Sequence, residues 1–211
     1  MDASERPAPL AAASIGPFGA YLADGSEYRG DYGLDVTQLV DFHRERIELL
    51  AELAQLLAVE TIPSMHEAEA LRRLLGEAGC PPAWVSFSCR DGEHLCDGTP
   101  LRSAASLFED LPTVVAVGVN CTAPQHVASL IRAVHAGAPG KEVVVYPNSG
   151  ETYLPDTKSW APAPEGLDLP RLVGSWQSAG VRLIGGCCRI TARELSRIDS
   201  ALGGASPEQG A

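Results

Sequence analysis

No stretch of this sequence approaches the roughly 20 consecutive apolar residues that a bilayer-spanning helix needs, so no membrane anchor is expected. The apolar run at 10–15 is too short for a secretory signal, and no cationic segment precedes it. Basic charge is scarce as well. Sixteen Lys and Arg face 27 Asp and Glu, a formal net charge of −11, and a surface of that sign repels phosphate backbones and anionic headgroups. Nucleic acid and membrane surfaces are therefore poor partners, and a small-molecule substrate is the better expectation. Missing too are paired Cys-x-x-Cys or zinc-knuckle spacings. Six cysteines without an export signal point to the reducing cytoplasm, where thiols are buried, catalytic or metal-bound rather than paired.

What is present is the material of one soluble domain, with 211 residues, 45% of them hydrophobic and 20% charged. The acidic, proline-bearing residues 1–9 and the stretch 204–211 are expected to be tails around a domain at 10–203. Short β-branched apolar runs alternate with amphipathic helical patterns, the sequence form of parallel βα units. Six strands are predicted, at 10–15, 56–60, 83–88, 114–119, 142–146 and 181–184. Runs such as 114–119 are apolar at successive positions, as in strands covered on both faces.

Helix starts read from a small polar residue followed three positions later by Glu or Gln, as in Ser64 with Glu67, Thr122 with Gln125 and Thr191 with Glu194. Asp35 with Gln38 is a weaker form and opens a helix whose stripe runs Val36, Leu39, Val40, Ile47, Leu50 and Leu53. Gly79 and Gly137 suit helix C-caps. The fold class is α/β; by local pattern alone, an open doubly wound sheet and a (β/α)8 barrel are equally served. Three long loops, 16–34, 90–100 and 148–166, are expected to be functional.

In parallel α/β proteins the reacting groups gather at the C-terminal ends of strands. Glu60, Cys121, Asn148, Cys187 and Cys188 all fall there. Gly185 and Gly186 let the backbone turn so that both neighbouring thiols can face one point, and Cys121 supplies a third sulfur from another strand. Three protein ligands leave the fourth tetrahedral position of a zinc ion for substrate. Two other readings stand beside this one: cysteines as small buried hydrophobes, or a vicinal disulfide between Cys187 and Cys188. Cys89, His94 and Cys96 form a second metal-like cluster, with ordinary loop residues as the competing reading. Cys80 reads as packing, and His43, His66, His126 and His135 as solvated or packed. Glu60 ends a fully apolar strand, where a carboxylate needs a cation, either a substrate ammonium or an internal partner.

Taken together, the motifs resemble the homocysteine S-methyltransferases, especially those that use S-methylmethionine. They are Gly-Ala-Tyr-Leu-Ala-Asp-Gly-Ser-Glu-Tyr-Arg-Gly-Asp-Tyr at 19–32, Glu-Thr-Ile-Pro at 60–63, Asp-Gly-Thr-Pro-Leu at 97–101, Gly-Val-Asn-Cys at 118–121, Tyr-Pro-Asn-Ser-Gly-Glu at 146–151 and Gly-Gly-Cys-Cys-Arg at 185–189. The resemblance covers nearly the whole chain. It implies a (β/α)8 TIM barrel, here a partial homocysteine-binding barrel with six parallel strands. It also implies Zn²⁺ held by Cys121, Cys187 and Cys188, with Glu60 at the homocysteine amine and Asn148 as a further substrate contact. The implied reaction is methyl transfer from S-methylmethionine, or from S-adenosylmethionine, to the homocysteine thiolate, giving methionine. A free thiol of pKa ~8.5 is mostly protonated at neutral pH, and zinc coordination removes that proton. The acidic, tyrosine-rich first loop, with Asp24, Glu27 and Tyr28, and Trp160 are expected to favour a cationic donor.

The chain departs from the family at its start, where the family barrel has two earlier βα units, one with an Asp-Gly-Gly turn. Three explanations compete: a start codon placed too late or an incomplete gene, which is favoured; a degenerate gene; or a short protein completed by another chain. A catalytically inactive zinc-binding fragment is accordingly the alternative to an enzyme.

Overall fold

The structure, a computed structural model, describes residues 9–154, 157–163 and 167–203. Both expected tails, apart from residue 9, lie outside the described residues. Six strands form one parallel sheet: β1 (Ala12–Ile15), β2 (Leu56–Ile62), β3 (Ala83–Phe87), β4 (Val114–Asn120), β5 (Glu142–Tyr146) and β8 (Leu183–Ile184), each hydrogen-bonded to the next in that order. The connecting helices are α2 (Val36–Ala51), α3 (Met65–Leu75), α4 (Leu101–Ser106), α5 (Val127–Gly137) and α6 (Leu169–Ser178), and α7 (Ala192–Gly203) follows β8. This is α/β architecture with the sequential strand order of a (β/α)8 barrel. No described helix is long and apolar enough to cross a membrane.

The two faces of the sheet differ in chemistry. Ile15, Leu57, Val59, Val85, Phe87, Val117, Val119, Val143 and Val145 pack with Ile47, Leu71, Leu75, Leu101, Leu130, Val134 and Trp176 into the main core. The opposite face is read from the register. Ser14, Ala58, Trp84 and Ala116 lie in one row, and Ser86, Gly118, Val144 and Leu183 in the next. Strand alternation puts Glu60, Asn120 and Tyr146 on this second face, towards the C-terminal ends. A side chain at Gly118 would meet the Val144 carbonyl, which is why this strand carries a glycine.

The expected strand ends hold to within a residue or two, except that the last strand is shorter than 181–184. Loop 148–166 is not structureless: it contains an antiparallel hairpin of β6 (Thr152–Leu154) and β7 (Ser159–Ala161). Loop 16–34 contains α1 (Phe18–Leu22) and a 3-10 turn at Ser26–Tyr28. The helix-start expectations divide. Asp35 and Gln38 form a complete capping box, and Thr191 and Glu194 bond each other reciprocally. Ser64 accepts from the Glu67 backbone, but the Glu67 side chain does not return the bond. Its Oε1 instead takes the Phe18 N–H at 2.7 Å and His43 Nε2 at 2.8 Å, with His43 and Glu67 both fully buried. Thr122 does not cap, because its hydroxyl accepts from Cys89 N and donates to Asn120 O. Gly79 is left-handed, at φ 90°. Gly137 is the last residue of α5 and is small for a different reason, since a Cβ would strike the Arg102 carbonyl. Leu53 falls beyond the end of α2 and is exposed, while His43 joins the buried stripe.

Candidate metal centre

All three long loops leave the C-terminal ends of strands, after β1, β3 and β5, and they converge where β4 and β8 deliver their cysteines. Cys121 follows β4, and Cys187 and Cys188 follow β8. Backbone bonds to the end of β5 hold these segments together. Cys121 N donates to Tyr146 O at 3.2 Å, Cys187 N to Pro147 O at 2.9 Å, and Ser149 N to Cys188 O at 3.2 Å. Outside, Arg189 Nε grips Glu151 Oε2 at 2.7 Å.

The result is a sulfur triangle. Cys121 Sγ lies 2.9 Å from Cys187 Sγ and 3.2 Å from Cys188 Sγ, and the latter two are 4.0 Å apart. Residues 66 positions apart in sequence thus meet at one point. The pair at 187 and 188 is not bonded, and the six cysteines are free, so the disulfide reading is not what the structure contains. Among the described residues these three are the one group of His, Cys, Asp or Glu placed to hold a metal. Cys89, His94 and Cys96 do not gather: His94 bonds Asp91, Cys96 bonds Ser88, and Cys89 is buried in the core. Cys80 packs against the core, as expected.

Two features mark the triangle as more than packing. The first is strain. Cys121 sits at φ 46°, Arg189, next to Cys188, at φ 66°, and Thr61, next to Glu60, at φ 62°. Each left-handed non-glycine residue costs about 1–3 kcal/mol, and such residues collect where surroundings enforce a geometry. The second is charge. Hydrogen bonding to Cys187 and Cys188, together with burial, holds the Cys121 thiol far above its ordinary value. Hydrogen bonds from Cys121 and Cys187, and one from the Tyr28 hydroxyl, push Cys188 down to about 3. Three sulfurs this close cannot all ionise without a cation among them.

The donor set fits Zn²⁺. Thiolates are soft ligands, and at a Zn–S distance of about 2.3 Å a tetrahedral site needs sulfurs ~3.8 Å apart, which a small opening of the triangle provides. Gly185 and Gly186 precede the two thiols in ordinary, not left-handed, backbone. Gly186 lacks a side chain because Ile190 occupies that space.

A cleft of about 400 Å³ opens beside the triangle, lined by Tyr28, Cys121, Gln125, Asn148, Glu151 and Trp160 among others. Asn148 is buried, its Oδ1 accepting from Gly150 N at 2.9 Å. Tyr28 and Trp160 share this cleft, as the loop reading required. Asp24 turns instead to Ser26 and Arg29. Burial raises the Glu27 carboxyl. Glu60 does not line the cleft; it sits on the second face of the sheet, accepting from Ser14 Oγ at 2.6 Å. Asn120, fully buried at the end of β4, was not singled out in the sequence. The signal was there, a polar side chain closing an apolar strand, as at Glu60.

The model of the family described as homocysteine S-methyltransferase matches residues 1–202. A homocysteine S-methyltransferase of Bacillus subtilis, YbgG, is 47% identical over 92% of this chain and 61% of its own length. The Escherichia coli homocysteine S-methyltransferase is 48% identical over 90% of this chain and 61% of its own. A selenocysteine Se-methyltransferase of Brassica oleracea is 42% identical over 92% of this chain and 57% of its own. The chain thus spans about three fifths of the length of these relatives. In three dimensions it resembles the metallated form of the Escherichia coli homocysteine methyltransferase MmuM, with a TM-score of 0.79 and 44% identity, over 94% of this chain and 63% of that one.

Proposed function

Since the chain belongs to the homocysteine S-methyltransferase family, we propose that it transfers a methyl group from a sulfonium donor to the thiol of homocysteine, with Zn²⁺ held by Cys121, Cys187 and Cys188. The observation that carries this reading is the sulfur triangle, three free thiols from two distant segments, with no His, Asp, Glu or further Cys among the described residues grouped with them. Bound there, zinc would supply the positive charge that keeps a substrate thiol deprotonated at neutral pH.

The chain's own residues do the rest. Glu60, on the second face of the sheet, receives the substrate ammonium, and Asn148, which lines the cleft, supplies a further substrate contact. The thiol proton leaves to solvent, the homocysteine sulfur forms a bond to the methyl carbon, and the carbon–sulfonium bond breaks. From S-methylmethionine both products are methionine; S-adenosylmethionine is the other candidate donor. Tyr28 and Trp160 supply aromatic surface for the sulfonium, and Glu27 supplies negative charge. Holding the reactants in line accounts for much of the rate. The free thiols suit a reducing cytoplasm.

The test is methionine formation by the zinc-loaded chain from homocysteine with each donor. Product with either donor supports the reading, and none with both sinks it. Metal retention without turnover would support the second reading, a zinc-binding fragment. That reading is favoured by the two strands, β1 and β8, that end the described sheet with one neighbour each. Within the enzyme reading, replacing Glu27 with Gln and Tyr28 with Leu is expected to raise the donor KM about 5- to 30-fold, equivalent to ~1–2 kcal/mol, by more than it raises the Kd for homocysteine at saturating zinc. An unchanged donor KM would remove the loop from donor binding.

A further inference from the structure

A continuous line of hydrogen bonds crosses the second face of the sheet, from the Glu60 side to the sulfur triangle. Its centre is Asn120, with every polar atom of its side chain engaged. Oδ1 accepts from Thr61 N at 2.7 Å and from Ser86 Oγ at 2.9 Å, and Nδ2 donates to Thr61 Oγ1 at 2.7 Å and to Cys187 Sγ at 3.7 Å. On the far side, Ser86 and Tyr146 share a hydroxyl–hydroxyl bond, and Trp84 Nε1 donates to the Tyr146 hydroxyl at 2.8 Å.

The directions follow from what each group can give. An amide oxygen only accepts, so the single Ser86 proton goes to Asn120, and in its contact with Tyr146 the serine is the acceptor. Tyr146 also hydrogen-bonds the Glu60 side chain, so its phenol hydrogen is shared between Ser86 and the carboxylate, and Glu60 accepts from both Ser14 and Tyr146. A carboxylate so arranged suits an ammonium group.

We infer that Asn120 is a positioning residue that fixes the distance between the sulfur triangle and Glu60, and thereby selects homocysteine over the amino acid thiol one methylene shorter. One side-chain amide holds both ends of that distance. Through Cys187 it holds a ligand of the proposed metal, and through the Thr61 N–H and hydroxyl it holds the left-handed residue that aims Glu60. One methylene is worth about 10- to 200-fold in discrimination where the enclosing geometry is rigid, and loss of a group that hydrogen-bonds a metal ligand typically weakens metal binding about 10- to 100-fold. The inference rests on the proposed metal and substrate reading and adds the residue that couples its two halves.

The experiment uses the full chain loaded with Co²⁺, whose sulfur-to-metal charge-transfer band reports the thiolates, and titrations with L-homocysteine and L-cysteine. In Asn120→Ser the hydroxyl stands where the amide carbon stood, short of Cys187 and of both Thr61 atoms that the amide reaches. The band is expected to move to lower energy, because a thiolate without its N–H donor holds electrons less tightly, and the homocysteine-to-cysteine affinity ratio is expected to fall at least tenfold. Ser86→Ala leaves the amide on both Cys187 and Thr61 and cuts only the link towards Tyr146, so the band should stay and the ratio should hold within about twofold. A folded Asn120→Ser with unchanged band and ratio overturns the inference. Should that variant not fold, Thr61→Val, which loses only the hydroxyl that Asn120 Nδ2 donates to, takes its place, and an unchanged ratio there overturns it. A wild-type chain with no charge-transfer band at all would instead refute the metal reading, and the coupling with it.

Discussion

Cys121→Ala is expected to weaken Zn²⁺ binding by roughly a hundredfold or more and to lower kcat/KM for methyl transfer by about a thousandfold or more. The size follows from position. Cys121 contacts both other sulfurs, at 2.9 and 3.2 Å, and is itself buried. Removing it leaves two donors from adjacent residues, too few for a site that discriminates zinc from solvent. Because Cys121 keeps its proton when the triangle is empty of metal, loading must displace that proton, so zinc affinity is expected to rise with pH. Cys80→Ala is the control, and both quantities should stay at the wild-type level. Zinc content after dialysis and initial rates check the pair of variants; a Cys121→Ala chain that keeps its zinc would contradict the assignment.

Glu60→Gln is expected to raise the Kd for homocysteine about 10- to 150-fold with zinc content unchanged, since a hydrogen bond to a charged group is worth ~1.5–3 kcal/mol. The substitution is conservative where it should be, because a glutamine oxygen can still accept from Ser14 Oγ. Only the charge that answers a substrate ammonium is lost. Calorimetric titration of the zinc-loaded variant measures it, and wild-type affinity would show that the amine is held elsewhere.

Much of this was legible from the sequence because parallel sheets advertise themselves. Residues 114–119 and 143–145 are apolar at successive positions since helices cover one face and the second face is only partly polar. Polar and reactive residues at the ends of such runs then stood out, and Cys121, Cys187 and Cys188 did come together. Whatever depended on distant partners was not legible. Glu67 looked like half of a capping box, yet its carboxylate belongs to Phe18, 49 residues away, and to His43. Gly137 looked like a cap because α4 packing against it leaves no local trace. The hairpin of Thr152–Leu154 with Ser159–Ala161 has three-residue strands of mixed composition, too short for alternation to register. Asn120 escaped notice because a single buried amide reads like any strand end until its four bonds are seen together.

Zinc K-edge X-ray absorption on the loaded chain, with and without homocysteine, tests the central claim most directly. The account predicts three sulfurs at about 2.3 Å from one zinc ion and a fourth added on substrate binding. Fewer than three sulfurs, or a shell that homocysteine leaves unchanged, would contradict it.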